Sequence, residues 1–308
     1  MDLRTAFLNG ELDDLIYMKQ PPNYLSEKHH THVCQLLKSL YGLKQSPLQW
    51  YRRFHGCMAN LGYQRLQSDP NVYTRHATYI FLVLAIYVDD ILLLCSSLTA
   101  LDAAKTELHA SFSMTDMGPL HYCLGIQVYQ ATSTITLSQD VYILSLLKKF
   151  NMADCKGMET PLSINLKLQP STGKSQEFPY SNIIGGVRYL VTCTSFDICF
   201  AANLLSHFMQ HPGTPHIQCL KRIMRYLQRT KSFGLSYHAT TPLSIPYLTG
   251  YSDADWGGDQ VTLQSTSGYV FLLSGAAITW QGKKQDRVTF SSTEAEYVSM
   301  TLALKEGI

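Results

Sequence analysis

A nearly all-apolar stretch covers residues 79–96 and is interrupted at its centre by two adjacent acids, Asp89 and Asp90. Its two arms, 80–88 and 91–95, are rich in β-branched residues and leucine, lack Gly and Pro, and have the length of strands. The pattern predicts two buried strands with the acids at the turn between them. Because burying an unpaired carboxylate costs several kcal/mol, we expect a solvent-facing tip where a divalent cation or water compensates both charges. An ordinary hairpin with a polar turn is the alternative, which the apolar flanks disfavour.

The remaining hydrophobic patterns predict a mixture of helices and strands. Ser46 and Pro47 are the expected N-cap and first residue of an aromatic-rich helix. A Ser-, Thr-, Pro- and Gly-rich segment at 160–179 predicts a linker, and Thr240-Thr241-Pro242 marks a further break. The predicted helices cover 47–62, 97–112, 140–150, 183–190, 200–209, 217–228 and 293–305, and the predicted strands cover 124–129, 135–137, 247–253, 268–273 and 277–280.

Composition favours a globular chain with room for two domains, since it has 308 residues, 45% hydrophobic and 16% charged. A net charge of +2 neither requires nor excludes nucleic acid, although basic residues cluster at 221–231 and 283–287. The eight cysteines are scattered without a CxxC pair, and no signal peptide is found. We therefore expect a cytoplasmic or nuclear protein with reduced thiols. The spacing of the His and Cys residues at 29–34 matches no common structural zinc site.

A membrane span is not expected. The uninterrupted apolar part of residues 79–96 is too short to cross a bilayer, and two acids would lie at its middle.

Six segments together resemble the Pol polyprotein of copia-type LTR retrotransposons, in that family's order and over essentially the whole chain. They are MDLRTAFLNGEL, SLYGLKQSPLQWY, YVDDILL, LGIQV, YSDADW and KKQDRVTFSSTEAEY. The resemblance implies an α+β fold with a reverse transcriptase palm-like antiparallel sheet and helices, a helical connection, and an incomplete RNase H-like α/β unit. The implied domains are 1–158 for palm and thumb, 159–242 for linker and connection, and 243–308 for the start of RNase H.

The resemblance assigns the metal-binding acids of the polymerase site to Asp2, Asp89 and Asp90, with Asp2 and Asp89 as the main bridging ligands. Such enzymes use two Mg²⁺ ions, which Mn²⁺ can replace, to activate the primer 3′-hydroxyl and to stabilise charge on the transferring phosphoryl group. Carboxylates suit Mg²⁺, which prefers oxygen ligands. The implied partners are an RNA or DNA template-primer and deoxynucleoside triphosphates.

Four further residues match substrate-binding positions of the family. Phe7 matches the aromatic residue beneath the incoming sugar that excludes a 2′-hydroxyl, although a core Phe is the alternative. Gln45 resembles the residue that lines the nucleotide and template pocket, and Tyr87 lies two residues before Asp89 in the YVDDILL segment. Gly125 lies in a segment that resembles the primer-grip hairpin, which holds the primer 3′ end.

Two acids of the last segment match an RNase H site. Asp253 and Glu296 correspond to the first two carboxylates of that site, which also uses two metal ions. Asp255 ranks lower because it is expected just past the end of its strand. Glu294 is an ordinary first-turn acid, favoured there by the helix dipole.

The sequence also departs from the family. The fingers region that precedes the Asp2 motif and the RNase H acids that follow residue 308 are not in this sequence, and Leu48 stands where the family usually has Arg. We therefore expect a decayed element truncated at both ends, with weak or no activity and with the remainder of the Pol polyprotein as its partner.

Two alternative functions stay open at this stage. One is a noncatalytic transposon relic that binds nucleic acid through the basic helix at 221–231. The other is an unrelated transferase that uses Asp253-Ala254-Asp255 as a nucleotide-sugar motif, but that motif is short and common and leaves Asp89 and Asp90 unexplained.

Overall fold

The computed structural model of the chain describes residues 1–26, 31–77, 80–164, 166–171, 177–239 and 247–307. The chain divides into two compact units, Met1–Leu120 and His121–Ile308. Both units combine antiparallel sheets with helices, which confirms the predicted α+β fold class. Two predicted features lie outside the described residues: His29 and His30 of the histidine cluster, and the break at 240–242.

The first unit is built on an antiparallel sheet with the strand order β4-β5-β6-β7-β1-β8, and β2 pairs separately with β3. Its strands are β1 (Asp2–Leu3), β2 (Tyr17–Lys19), β3 (Val33–Gln35), β4 (Gln64–Arg65), β5 (Val72–Ala77), β6 (Ile80–Tyr87), β7 (Asp90–Cys95) and β8 (Met114–Thr115), and its helices are α1 (Ser46–Asn60) and α2 (Leu98–Ser111). The two apolar arms predicted from the sequence are β6 and β7, at the centre of this sheet.

The helix α1 covers the sheet with the aromatic face that the sequence predicts. Trp50, Phe54 and Met58 recur every fourth residue and are all buried in one core. The helix begins one residue earlier than expected, because Ser46 does not cap it. The Ser46 hydroxyl instead donates a hydrogen bond to the Leu40 carbonyl, and Pro47 follows inside the first turn.

The second unit contains two sheets, ordered β12-β11-β10-β9 and β13-β14-β15. Its strands are β9 (Tyr122–Cys123), β10 (Ile126–Gln130), β11 (Thr134–Ser138), β12 (Gly234–His238), β13 (Thr249–Asp255), β14 (Thr266–Leu273) and β15 (Ala276–Lys284), and its helices are α3 (Asp140–Lys149), α4 (Tyr180–Cys193), α5 (Cys199–Ser206), α6 (Thr214–Thr230) and α7 (Ser292–Gly307). The predicted linker at 160–179 contains no helix or strand in its described part.

The helices α3 to α6 share one apolar core. Each contributes fully buried side chains, among them Leu147, Val187, Leu205 and Leu220. The strand β12 was not predicted. It pairs with β11 along its whole length, from Thr134 opposite His238 to Ser138 opposite Gly234, and so joins chain segments far apart in sequence.

Candidate polymerase site and RNase H-like acids

The hairpin of β6 and β7 turns through two residues, Val88 and Asp89, because Tyr87 pairs directly with Asp90. Val88 has a φ of +54°, a left-handed conformation that a β-branched residue rarely adopts. The indole Nε1 of Trp50 donates a hydrogen bond of 3.1 Å to the Val88 carbonyl. The buried helix α1 thus holds this turn. The prediction that both acids lie in the turn is correct for Asp89 and wrong for Asp90, which begins β7 because it pairs with Tyr87.

The structure brings Asp2 next to Asp90. The two residues face each other in the β1–β7 pair. Backbone hydrogen bonds flank the pair, with Leu3 N–H donating to the Asp89 carbonyl at 2.8 Å and Ile91 N–H donating to the Met1 carbonyl at 2.9 Å. In such a non-hydrogen-bonded pair the Cα atoms lie about 4.5 Å apart and the side chains leave the sheet on the same face. Asp2 and Asp90 are therefore neighbours, with Asp89 at the adjacent turn.

The Asp89 carboxylate has a partner that sequence reasoning missed, Tyr41. The Tyr41 hydroxyl donates to both carboxylate oxygens, at 3.1 Å to Oδ1 and 2.9 Å to Oδ2. Burial of the phenol raises the pKa of Tyr41, and the hydrogen bond and charge of Asp89 add to this rise. Asp2 also raises the pKa of Tyr41 through its charge. The only sequence signal for Tyr41 is its place in the SLYGLKQSPLQWY segment, four residues before Gln45.

Three of the predicted nucleotide-binding residues, Phe7, Tyr87 and Gln45, lie in the first unit. Phe7 lies in a 3₁₀ turn (Ala6–Asn9) directly after β1, and its ring contacts Tyr41 edge to face, with 4.6 Å between centroids and 63° between planes. Tyr87 ends β6 with 61% of its surface exposed. Gln45 immediately precedes α1 and accepts the first helical hydrogen bond, from Gln49 N–H at 3.0 Å.

The donor chemistry of this site suits a hard divalent cation, because Asp2, Asp89 and Asp90 supply only oxygens. Within the described ranges, however, no three His, Cys, Asp or Glu side chains are arranged to hold a metal ion. The main chains of the three acids lie close together. The Asp89 carboxylate accepts its hydrogen bond from the Tyr41 hydroxyl.

Gly125 lies in the second unit, at the turn between β9 and β10. Leu124 and Gly125 both have positive φ, +49° and +75°, which is the pattern of a two-residue type I′ hairpin. The Tyr189 hydroxyl of α4 donates to the Leu124 carbonyl and fills the space that a β-carbon on Gly125 would need. Glycine is therefore required here for packing as well as for backbone conformation.

Asp253 and Glu296 also lie in the second unit, on β13 and α7. The Ser299 hydroxyl, one helical turn after Glu296, donates to the Asp253 carbonyl at 2.6 Å and contacts the Gly268 carbonyl at 3.2 Å. The helix carrying Glu296 is thus fixed against the strand carrying Asp253. The main chains are close at this point.

The Asp253 side chain and the helix α7 lie on opposite faces of the sheet. Strand alternation places Asp253 with Tyr251 and Asp255 on one face, where they line a cavity of about 600 Å³. The other face carries Phe271, whose ring lies against Gly307 of α7. A shared site therefore requires Glu296 to reach Asp253 past the edge of β13. Burial raises the pKa of Asp255, against hydrogen bonds from Thr266 and with added repulsion from Asp253.

The arginines of the basic segment 221–231 in α6 bind other residues of the same chain. Arg222 donates to the Thr160 carbonyl at 3.1 Å and to its Oγ1 at 2.8 Å. Arg225 donates to the Lys156 carbonyl at 2.7 Å, and Arg229 pairs with Glu159 at 3.2 Å. This face of α6 therefore holds residues 156–160 in place, which weakens the alternative of a free basic face for nucleic acid.

Residues 1–164, which include the antiparallel sheet and its paired acids, match the family model "Reverse transcriptase (RNA-dependent DNA polymerase)". The chain belongs to this family. Its relatives include the "Retrovirus-related Pol polyprotein from transposon TNT 1-94" of Nicotiana tabacum, 40% identical over 100% of this chain and 24% of that protein. The corresponding polyproteins from transposons RE1 and RE2 of Arabidopsis thaliana are 39% and 37% identical over 97% of this chain and 20% of each relative.

These matches confirm the resemblance drawn from the motifs. The chain spans about a quarter or less of the length of these relatives. Across the described residues, no helix combines the length and apolarity needed to cross a membrane.

Proposed function

We propose that the first unit carries a site for RNA- or DNA-templated addition of deoxynucleotides to a primer. The pairing of Asp2 with Asp90 beside the Asp89 turn carries this proposal. Membership of the reverse transcriptase family supports it. Divalent ions bound there would supply the Lewis acidity that activates the primer 3′-hydroxyl and neutralises charge on the phosphoryl group.

The residues of the chain have distinct roles in this proposal. Asp2 and Asp89 hold the cations, and Asp90, paired with Asp2, completes the acidic face. Phe7 lies beneath the incoming sugar and excludes a 2′-hydroxyl, while Gln45 and Tyr87 line the nucleotide and template pocket. Trp50 keeps the acidic turn in place through its hydrogen bond to the Val88 carbonyl. Holding charged ligands in a fixed geometry is the main contribution of protein to this chemistry.

The second unit extends the proposal. We assign Gly125 to the hairpin that holds the primer 3′ end, and Asp253 and Glu296 to an RNase H-like activity that hydrolyses the RNA of a hybrid. The domain assignment is palm and thumb at 1–158, linker and connection at 159–242, and an RNase H-like part at 243–308. The order of the motifs along the chain supports this division.

The partners follow from the same family. We propose that the chain works with an RNA or DNA template-primer and with the remainder of a Pol polyprotein, because its relatives are Pol polyproteins. The eight free cysteines support a reducing compartment, the cytoplasm or the nucleus.

Primer extension with Mg²⁺ or Mn²⁺ and deoxynucleoside triphosphates tests the polymerase proposal. We expect weak extension or none from the wild-type chain. Asp2→Asn and Asp89→Asn should each abolish any extension that the wild-type chain shows, because either change removes a charged ligand. Asp102→Asn is the matched control, since Asp102 is an exposed acid on α2 and is none of the three acids assigned to the site. Extension that is unchanged in the Asp89→Asn chain would reject the proposal.

Template-primer binding by the same variants separates the remaining alternative. Affinity that falls steeply with salt and survives Asp89→Asn, in a chain without extension activity, would instead favour a noncatalytic nucleic-acid binding protein.

A further inference from the structure

We propose that Tyr41 is a positioning residue of the polymerase site, an inference that rests on the function proposed above for Asp89. Tyr41 touches two residues of that site at once. Its hydroxyl donates to both oxygens of the Asp89 carboxylate, and its ring packs edge to face against Phe7. One side chain therefore connects an expected metal ligand with the residue expected to contact the sugar.

The hydroxyl orients the Asp89 carboxylate. Asp89 is a turn residue without a partner in the β6–β7 pair, since Tyr87 and Asp90 form the last residue pair before the turn. A carboxylate has about four lone-pair directions, and a single O–H shared between its oxygens leaves the others open. The hydrogen bond from Tyr41 thus fixes the orientation of the carboxylate while leaving lone pairs available for a cation.

The ring fixes Phe7. Phe7 is only partly buried and packs at the border of the core of the first unit. In an edge-to-face contact, with 4.6 Å between centroids, the Tyr41 ring packs against the Phe7 ring. Immediately after Tyr41 the chain reverses through Gly42, which has a φ of +95°. Loss of the Tyr41 ring therefore removes a packing contact from the Phe7 ring, whereas loss of the hydroxyl alone keeps that contact.

Two variants separate the two contacts. Tyr41→Phe removes the hydroxyl and keeps the ring, and Tyr41→Leu removes both. Affinity for Mn²⁺ is measured on the full chain by the electron paramagnetic resonance signal of the free ion. Preference for a deoxynucleotide over the matching ribonucleotide is measured as relative binding to the chain with template-primer, so neither measurement requires turnover.

We expect Tyr41→Phe to weaken Mn²⁺ binding about three- to tenfold, the effect of losing one hydrogen bond to a carboxylate at a half-exposed position. It should leave the sugar preference unchanged. Tyr41→Leu should weaken Mn²⁺ binding similarly and also reduce the sugar preference. Tyr24→Phe is the control for hydroxyl removal, since Tyr24 is 81% exposed.

Unchanged or tighter Mn²⁺ binding by Tyr41→Phe would overturn the proposal, because Tyr41 would then be a loop anchor or would compete with the cation. If Tyr41→Leu does not fold, as judged by circular dichroism, Tyr41→Phe decides alone. Asp89→Asn separates the two levels of inference. If it binds Mn²⁺ as wild type does, the proposed polymerase site fails. If it loses binding while Tyr41→Phe does not, only the role of Tyr41 fails.

Discussion

Replacing Gly125 by alanine measures how tightly Tyr189 closes on the turn between β9 and β10. Gly125 has a φ of +75°, and an added β-carbon would displace the Tyr189 hydroxyl that donates to the Leu124 carbonyl. The left-handed conformation costs an alanine about 1 kcal/mol, and losing one hydrogen bond costs about 1 kcal/mol. With displacement of the ring added, we expect Gly125→Ala to lower the free energy of unfolding by about 2–3 kcal/mol.

Gly118 provides the matched control, because it has a φ of +73° with open space around the position of a β-carbon. Gly118→Ala should lose only the conformational part, about 1 kcal/mol. Urea unfolding followed by circular dichroism measures both. In a Tyr189→Phe background the hydroxyl is gone, so Gly125→Ala should destabilise the chain less than it does in wild type. Equal losses for the two glycines, or the absence of coupling to Tyr189→Phe, would refute the packing argument.

Three further changes test other contacts. Trp50→Phe keeps an aromatic ring in the core but removes the hydrogen bond to the Val88 carbonyl, so it should cost about 1 kcal/mol in urea unfolding and reduce primer extension. Asp259 is desolvated, which raises its pKa, but the hydrogen bond from Lys284 and two backbone N–H groups outweigh this and leave the pKa lowered. Asp259→Asn should therefore destabilise the chain by about 1–2 kcal/mol at neutral pH. In thermal melts this difference in stability should shrink as the pH falls below about 4, because the wild-type carboxylate then begins to be protonated in the unfolded chain. Arg225→Gln should leave template-primer affinity within about twofold in a salt titration, because its guanidinium already binds the Lys156 carbonyl; a large loss would restore the basic-face alternative.

Local patterns in the sequence predicted much of the fold because they report local geometry. The apolar arms at 80–88 and 91–95 became β6 and β7, since strand length and the absence of Gly and Pro leave few alternatives. The aromatic spacing from Trp50 to Met58 became the buried face of α1. The α+β class and the family followed from the resemblance carried by the six motif segments.

Long-range contacts were not predictable in the same way. The strand β12 is short, and its pairing with β11 depends on chain segments brought together by the intervening helices. Tyr41 was missed because its function depends on a hydrogen bond across the fold to Asp89, and a half-exposed tyrosine in a loop gives no periodic signal. The arginines of α6 resemble a phosphate-binding face in sequence, whereas in the structure their partners are carbonyl oxygens of residues 156 and 160 and a carboxylate of residue 159.

The position of β1 has a consequence for how the protein is made. Asp2 leaves the ribosome before the residues of β7 and β8, yet its strand is held between these two later strands. Its carboxylate therefore reaches Asp90 only after the segment through Thr115 has emerged and folded. Such non-local closure is slow relative to helix formation. A nascent chain stalled before β8 would contain all three acids of the hairpin site and still lack one of the two strands that hold Asp2 in place.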